Sequence, residues 1–292
     1  MRIIRLALAG VLGATVLVGV GLTGALSATA ASSSALAACK TKILSEEVTK
    51  GTLAVATDTP AYTPWFVSNK PSDGKGFESA VAYAIAKELG VKKGNVKWVV
   101  EAFDSSYIAG PKAFDFDINE ISYTAERAEA VTFSESYYNV NQSIVALKTD
   151  AIVKKHSAAQ LKTYQYGDQI GTTGLAYIND HIKPTKPARV YSTLDQVVLA
   201  LQTGQIGAIV IDTPTGQYMA SAQIVNKNNK PIATQVGQFP STGEHYGLLF
   251  AKGNPLVGCV NDAINALKAN GTLAALQQKW LGIYTSVPTI KP

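Results

Sequence analysis

After Gly51 the chain alternates between short apolar runs and longer segments whose apolar residues recur at helical spacing. The run TLAVAT predicts a buried strand, and GFESAVAYAIAKELG predicts a helix with one apolar face that ends at Gly90. VKWVVEAF, FDINEIS and SIVALK predict further strands, with a short helix between the last two. Strands that alternate with amphipathic helices predict an α/β fold.

A second, similar series begins at QIGTTG, which predicts a strand and a turn. A helix, a strand (ARVYS) and a second helix (TLDQVVLALQTGQ) follow, and the apolar strand IGAIVID then ends in Asp212. A helix near Pro214 and the strand TQVGQF complete this second series. Residues 254–281 then predict two helices that are separated at NGT. The repetition predicts two similar α/β lobes.

The N-terminal pattern predicts export. Arg2 and Arg5 precede a long apolar run, and the next charge is Lys40, which together predict a signal peptide over residues 1–38. ALA before Ala38 fits ordinary cleavage, whereas LAAC resembles a lipobox that would place a lipid on Cys39. The apolar run is also long enough for an uncleaved anchor. We therefore expect an extracellular, cell-surface or periplasmic protein.

The two cysteines, Cys39 and Cys259, bear on this choice. An exported chain with two cysteines often pairs them. The residues after Cys39 lead almost directly into a strand, without the flexible tether that lipoproteins tend to have. The sequence therefore favours a Cys39–Cys259 disulfide and leaves a lipid on Cys39 as the alternative.

The net charge and the absence of known catalytic motifs argue against several classes of function. Removing Arg2 and Arg5 with the signal lowers the formal net charge from +5 to +3, and the lysines are scattered, so no nucleic-acid partner is expected. The three histidines lie outside zinc motifs, and no GxSxG or phosphate-binding loop occurs. We expect no metal, no cofactor and no enzyme, and hence a binding protein.

The candidate binding residues follow predicted strands, where ligands bind in open α/β sheets. The first lobe contributes Asp58, Tyr62, Asn119, Glu120, Ser122 and Arg127; the second contributes Thr172, Thr173 and Asp212. Arg127 lies in the first turn of a helix, where the helix dipole disfavours a cation, so it raises the question of which anion it serves. Two lobes that face each other would bring both sets together across a cleft.

Five segments stand in the order and spacing of the family 3 extracellular solute-binding proteins, the polar amino-acid receptors of ABC importers. They are GTLAVATDTPAYTPWF, GKGFESAVAYAIAKELG, ISYTAERAEAVTFSESYY, IGTTG and GAIVID. The chain after residue 50 therefore resembles this family. The resemblance implies a type II periplasmic-binding fold with two crossover hinge strands, near Ile144–Lys148 and Gly237–Tyr246. It also implies a lobe 1 of residues 39–145 and 241–292 and a lobe 2 of residues 146–240.

The resemblance also implies roles for these residues. Arg127, in the family's T-x-E-R motif, would bind the ligand α-carboxylate in a bidentate pair. Thr172 and Thr173 would hold the same carboxylate, and Ser122 takes the small hydroxyl position beside it. Asp212 would pair with the α-ammonium group.

Tyr62 and Trp65 match the family's aromatic wall against the ligand. Each of these roles has a structural alternative. The arginine could pair with Glu126 or Glu129, the aspartate could cap a helix, the threonines could be turn residues and the aromatics could be core residues.

The function that the resemblance implies is an importer receptor, a monomer that closes on a polar α-amino acid and docks on a membrane permease. Glu120, where the family usually has a small residue, and Asp58 suggest a basic or amide ligand side chain. An enzyme related to cyclohexadienyl or arogenate dehydratase, with Glu120 as general acid or base, is one alternative. A sensor for a signalling partner is another.

Overall fold

The computed structural model describes residues 36–40, 49–154, 157–284 and 287–290. Most of the predicted signal peptide lies outside these residues. Among the described helices, none has both the length and the apolar character that a membrane span requires.

Ten strands and ten α-helices succeed one another along the described chain. The strands are β1 Leu53–Thr57, β2 Val96–Val100, β3 Phe116–Asp117, β4 Val131–Asn139, β5 Gln142–Leu147, β6 Gly167–Gln169, β7 Arg189–Tyr191, β8 Ala208–Asp212, β9 Ala233–Gln238 and β10 His245–Ala251. The helices are α1 at 36–40, α2 Phe77–Glu88, α3 Phe103–Ser106, α4 Ala125–Ala130, α5 Ala158–Leu161, α6 Thr173–Tyr177, α7 Leu194–Gln202, α8 Thr213–Tyr218, α9 Leu256–Ala269 and α10 Thr272–Leu281. Single π-helical turns, Ile178–Ile182 and Met219–Gln223, extend α6 and α8.

Lobe 1 is built on a five-stranded sheet of order β2-β1-β3-β10-β4. β1 pairs in parallel with β2 and β3, and β10 runs antiparallel to β3 and β4. Helices α2, α9 and α10 pack on one another, and their apolar faces join the main core of this lobe. The apolar face predicted for α2, from Val81 to Leu89, is buried in that core. The parallel central strands therefore end together at one edge of the sheet.

Lobe 2 contains the antiparallel sheet β8-β5-β9 and the parallel pair β6-β7. A single parallel bridge between Tyr166 and Ala208 joins the pair to β8. Apolar clusters cover both faces of the larger sheet, one around Ile144 and Val210 and the other around Val145 and Ile209. Two sheets with separate cores make two lobes, as the sequence predicts.

The crossings between the sheets differ from the prediction. β4 belongs to the first sheet and β5 to the second, so the chain crosses at residues 140–141, and the predicted boundary at 145 falls inside β5. The second crossing, between β9 and β10, occupies 239–244 and lies within the predicted range Gly237–Tyr246. The first crossing comes early because β5 already pairs with β8 from its first residue, Gln142, to Ala146.

The last described residues correct the lobe assignment. Residues 287–290 lie on lobe 2, although the sequence places residues 241–292 in lobe 1. The Gln238 amide donates to the Pro288 carbonyl (2.8 Å), and the Ile290 amide donates to the Gln238 carbonyl (2.7 Å). The Ile290 side chain is buried in the lobe 2 core. Residues 287–290 lie on lobe 2 because a buried isoleucine and two backbone bonds hold them there.

Cys39 of α1 and Cys259 of α9 form a disulfide. A sulfur atom in a disulfide has no free valence for a lipid thioether, so the structure agrees with the disulfide that the sequence favours. Both cysteines are buried with the apolar residues of lobe 1. The disulfide therefore fastens the first described segment to the C-terminal helices.

Candidate functional site

A cavity lies between the two lobes at the carboxyl ends of β1, β3 and β8, with an empty volume of about 670 Å³ including its open mouth. The predicted residues that line it are Asp58, Tyr62, Asn119, Glu120, Arg127, Thr172, Thr173 and Asp212. Residues from both lobes therefore meet at one site, as the sequence predicts.

Two predicted residues, Trp65 and Ser122, do not line the cavity. Trp65 is completely buried among the rings of Phe77, Tyr138 and Tyr246, so its interpretation as a core aromatic is correct. The Ser122 hydroxyl turns away and donates to Glu244 (2.6 Å), while its carbonyl accepts a bond from Arg127. Neither side chain is placed to touch a ligand as predicted.

Arg127 reaches the cavity from the first turn of α4, which begins at Ala125. Thr124 caps this helix by accepting from the Arg127 amide, and the guanidinium then extends toward lobe 2. Nη1 donates to the Ser122 carbonyl (2.6 Å) and Nη2 to the Gly171 carbonyl (2.8 Å). The Tyr107 ring lies 4.8 Å from the guanidinium carbon. These carbonyls and the ring carry only partial charge, so the fixed fork faces the cleft with its positive charge available to an anion.

The N-terminus of helix α6, in lobe 2, lines the same cavity as Arg127. Thr172 caps α6 by accepting from the Leu175 amide, and it also donates to the Gln169 carbonyl (2.9 Å). The preceding Gly171 has a φ of +75°, and a Cβ atom there would lie 2.1 Å from the Tyr107 hydroxyl. The positive φ favours glycine, and a side chain here would have to displace the Tyr107 ring of lobe 1.

Asp212 ends β8 and faces the cleft. It occupies the N-cap position of α8, yet its side chain makes no capping bond, so the alternative role as a helix cap is wrong. Oδ1 instead accepts from Gln142 Nε2 (2.6 Å). Burial, and secondly the charge of Glu244, raises the pKa of the Asp212 carboxyl to about 7. A cationic group in the cleft would favour the ionised form.

Two acids of lobe 1 lie in contact at the cavity, the buried Glu78 and the half-buried Glu120, which lines it. Glu78 on α2 accepts from the Glu120 amide (2.7 Å) and from the Tyr137 hydroxyl, and burial raises its pKa to about 8. Burial and the neighbouring Glu78 also raise the pKa of Glu120. Glu120 has a φ of +54°, and its Oε2 accepts from the Thr215 hydroxyl of lobe 2 (2.8 Å). The strained backbone directs this acid across the cleft.

Several cavity residues were missed by the sequence interpretation, chiefly Phe103, Gln142, Asp168 and Leu194. Gln142 and Asp168 lie one residue before the predicted strand segments SIVALK and QIGTTG, whereas the structure includes them in β5 and β6. Asp168 Oδ2 is buried and has no hydrogen-bond partner among the described residues. Neither Gln142 nor Asp168 stands out in the sequence, because the direct neighbours of both are polar residues or glycine, so no local signal would have found them.

These features define a class: a two-lobed binding protein with a charged cleft between its lobes. The model of bacterial extracellular solute-binding proteins, family 3, matches residues 53–283. The chain belongs to this family, and its fold is the type II periplasmic-binding fold, as the sequence predicts.

Known relatives agree with this class. The L-cystine-binding protein TcyJ of Escherichia coli (strain K12) is 30% identical over 248 residues, covering 82% of this chain and 86% of its own length. The L-arginine-binding protein of Pseudomonas aeruginosa is 27% identical and covers 75% of this chain and 84% of its own.

A solved ancestral arginine-binding protein bound to arginine has a TM-score of 0.64, with 27% identity and coverage of 80% and 99%. The ancestral amino acid-binding protein AncCDT-1, a precursor of cyclohexadienyl dehydratase, also has a TM-score of 0.64, with 29% identity and coverage of 79% and 95%. The fold therefore serves binding proteins, and one of these relatives stands at the origin of an enzyme.

Proposed function

We propose that the protein is the extracytoplasmic receptor of an ABC importer and that it binds an α-amino acid between its lobes. One observation carries this proposal: the Arg127 guanidinium and the Asp212 carboxyl line a single cavity between two lobes. A zwitterion needs one partner of each sign, because a buried charge without a partner costs several kcal/mol. Arg127 would take the ligand carboxylate, with Thr172 and Thr173 beside it, and Asp212 the ammonium.

The charges in the cleft favour a basic or donor-rich ligand side chain. Four acids line the cavity against the single arginine among its described lining residues: Asp58, Glu120, Asp168 and Asp212. Burial is the largest cause that raises the pKa of each acid, and a ligand cation would offset that cost by stabilising the carboxylates. Relatives that bind arginine support this preference.

The receptor would act as an exported monomer that closes on its ligand and then docks on the membrane permease. Closure buries the ligand between two lobes that the chain crossings join, so binding and conformation are linked. An enzyme is the second candidate, since AncCDT-1 is an enzyme precursor and Glu120 is an acid with a raised pKa in the cleft. Incubation with prephenate or arogenate tests it, and product formation would favour the enzyme.

Isothermal titration calorimetry with Arg127→Ala tests the receptor. The screen uses L-arginine, L-lysine, L-ornithine, L-histidine, L-glutamine, L-cystine and L-glutamate. We expect the parent to bind at least one basic or amide amino acid and Arg127→Ala to weaken that binding at least about 100-fold, because the carboxylate loses its buried partner. Arg189→Ala, which removes an exposed arginine of lobe 2, is the control and should bind like the parent.

Two outcomes would contradict the proposal at different levels. Full affinity in Arg127→Ala would overturn the assignment of the carboxylate site. Tight binding of L-glutamate without binding of the basic and amide amino acids would overturn the proposed side-chain class and leave the receptor function standing.

A further inference from the structure

Glu244 is the last residue of the second crossing, 239–244, and lies directly before β10. Its backbone carbonyl accepts a hydrogen bond from the Val140 amide of the first crossing (3.1 Å). The side chain is half-buried, and the described lining of the cavity does not include it. Glu244 therefore lies where the two segments that join the lobes meet.

The Glu244 carboxylate is connected to the cation of the cleft through Ser122. The Ser122 hydroxyl donates to Glu244 Oε1 (2.6 Å), and the Ser122 carbonyl accepts from Arg127 Nη1 (2.6 Å). Ser122 also forms a backbone bridge with Tyr246, two residues after Glu244. The segment that leads into α4 and orients the arginine is thus held against the end of the second crossing.

The same carboxylate is connected to the acid of the cleft through Gln142. Gln142 Nε2 lies 3.0 and 3.1 Å from the two Glu244 oxygens and 2.6 Å from Asp212 Oδ1. This nitrogen carries two N–H groups, so one can serve each acid. Gln142 and Asp212 also lie opposite each other in the β5–β8 register, which keeps their side chains on one side of the sheet. Glu244 and Asp212 therefore share one amide as their donor.

A carboxylate suits the position of Glu244 better than an amide does. Its oxygens accept from two donors on different elements, the Ser122 hydroxyl and Gln142 Nε2, whereas a glutamine would turn an NH₂ group toward one of them. The carboxylate also places a second negative charge near Asp212. After burial, this charge is the largest cause that raises the pKa of Asp212 to about 7.

We propose that Glu244 is a positioning residue for ligand binding, which joins the segment that orients Arg127 to the strand pair that carries Asp212. This inference rests on the proposed amino-acid receptor function. Glu244 acts through Ser122 and Gln142 and does not touch the ligand. It fixes the partners of the ligand's carboxylate and ammonium relative to each other, so its loss should weaken binding although every residue that touches the ligand remains.

A double-mutant cycle tests the connection to Ser122. Calorimetry at pH 8.5 uses L-arginine, or another amino acid of the screen that the parent binds more tightly, on the parent, Glu244→Ala, Ser122→Ala and the double variant. We expect Glu244→Ala to weaken binding about tenfold or more and Ser122→Ala severalfold. Ser122→Ala should add little in the Glu244→Ala background, because residues of one hydrogen-bond network are not additive. Fully additive losses would overturn the proposal.

Glu244→Gln tests the connection to Asp212, because it keeps the shape of the side chain and removes its charge. The ¹³C-labelled carboxyl carbon of Asp212, assigned by the loss of its signal in Asp212→Asn, is titrated by NMR in ligand-free protein. We expect the pKa of Asp212 to fall below about 7. The affinity of Glu244→Gln at pH 8.5 should lie between those of the parent and Glu244→Ala. An unchanged pKa would also overturn the proposal.

The other titratable or charged groups near this pair stay the same in the comparison. Besides Glu244, the groups that act on Asp212 are Arg127 and Tyr246, and Glu244 acts on both of these as well. The further groups on which Asp212 acts are Glu78, Glu120, Tyr138 and Asp168. Glu135→Gln, which removes an exposed glutamate of lobe 1, is the control and should keep the parent's affinity and the parent's pKa at Asp212.

Failure of the receptor function and failure of this inference are distinguishable. If the parent binds no amino acid of the screen, the receptor function fails and the inference fails with it. If the parent binds, and either the cycle is additive or the pKa of Asp212 is unchanged in Glu244→Gln, only the inference fails. Thermal melting of all variants shows whether a loss of binding reflects a loss of fold, and Glu244→Gln replaces Glu244→Ala in the cycle if the alanine variant does not fold.

Discussion

At the residue scale, the site combines one buried cation, Arg127, with four acids that line the cavity and a fifth, the fully buried Glu78, behind them. Arg127 resolves the electrostatic question that its sequence position raises: it lies where a helix dipole disfavours a cation, yet its fork is held toward the cleft by two carbonyls. Glu78, Glu120 and Asp212 all have raised pKa values, chiefly because they are buried. The acids therefore make both stability and binding depend on pH.

Glu78→Gln isolates one part of this dependence. The pKa of Glu78 is about 8 in the folded protein and 4.5 in its ordinary state, so its contribution to stability is full below pH 4.5 and is lost as pH rises through 8. Urea unfolding at pH 6 and pH 9 should show that the parent loses roughly 2–3 kcal/mol more than the Glu78→Gln variant does over this interval. Glu88→Gln, at a half-buried position of the same helix, should behave like the parent. Equal losses in all three proteins would contradict the assignment.

At the scale of elements, strands and helices with regular apolar patterns were predicted well, and those defined by distant pairing were not. The α2 helix and the break between α9 and α10 are confirmed close to their predicted bounds. Strand β4 was missed because VTFSESYYN mixes polar and apolar residues, and its pairing partner β10 lies about a hundred residues later in the sequence. The family resemblance places Trp65 in an aromatic wall of the binding site, and its burial could not be predicted because it depends on Tyr138 and Tyr246, which no local pattern brings near it.

The Cys39–Cys259 disulfide, which joins α1 to α9, leads to a prediction about the free energy of unfolding. The bond closes a separation of 220 residues between α1 and α9, and in the chain-entropy account such a crosslink restricts the unfolded chain. The double variant Cys39→Ser, Cys259→Ser should lose about 2–5 kcal/mol of unfolding free energy in urea. Ligand affinity should stay unchanged, since neither cysteine lines the cavity.

Intact mass measurement of the secreted protein tests whether the two cysteines form this disulfide. Reduction should add the mass of two hydrogen atoms. A diacylglycerol mass on Cys39 would contradict the disulfide, and unchanged stability in the double-serine variant would show that the crosslink does not restrict the unfolded chain appreciably.

At the scale of the whole molecule, the lobes are joined both by the chain and by contacts across the cleft. The chain crosses at 140–141 and at 239–244, and its end at 287–290 returns to lobe 2. Across the cleft, the Thr215 hydroxyl of lobe 2 accepts from Trp65 Nε1 (2.7 Å) and donates to Glu120 Oε2 (2.8 Å). A lobe 2 side chain is thus seated between two lobe 1 side chains, so opening the cleft must break both bonds.

Thr215→Val should therefore shift the molecule toward the open form. Valine nearly matches threonine in shape and lacks the hydroxyl, and each lost hydrogen bond contributes roughly 0.5–1.5 kcal/mol, so we expect ligand affinity to fall about tenfold. Small-angle X-ray scattering should give a larger radius of gyration for the ligand-free variant than for the parent, and saturating ligand should bring the two together. Tyr62→Phe removes an exposed bond between the lobes, to Asp195, and should have a smaller effect because water competes for that bond. If Thr215→Val matched the parent in both affinity and radius of gyration, these two bonds would have no part in closing the cleft.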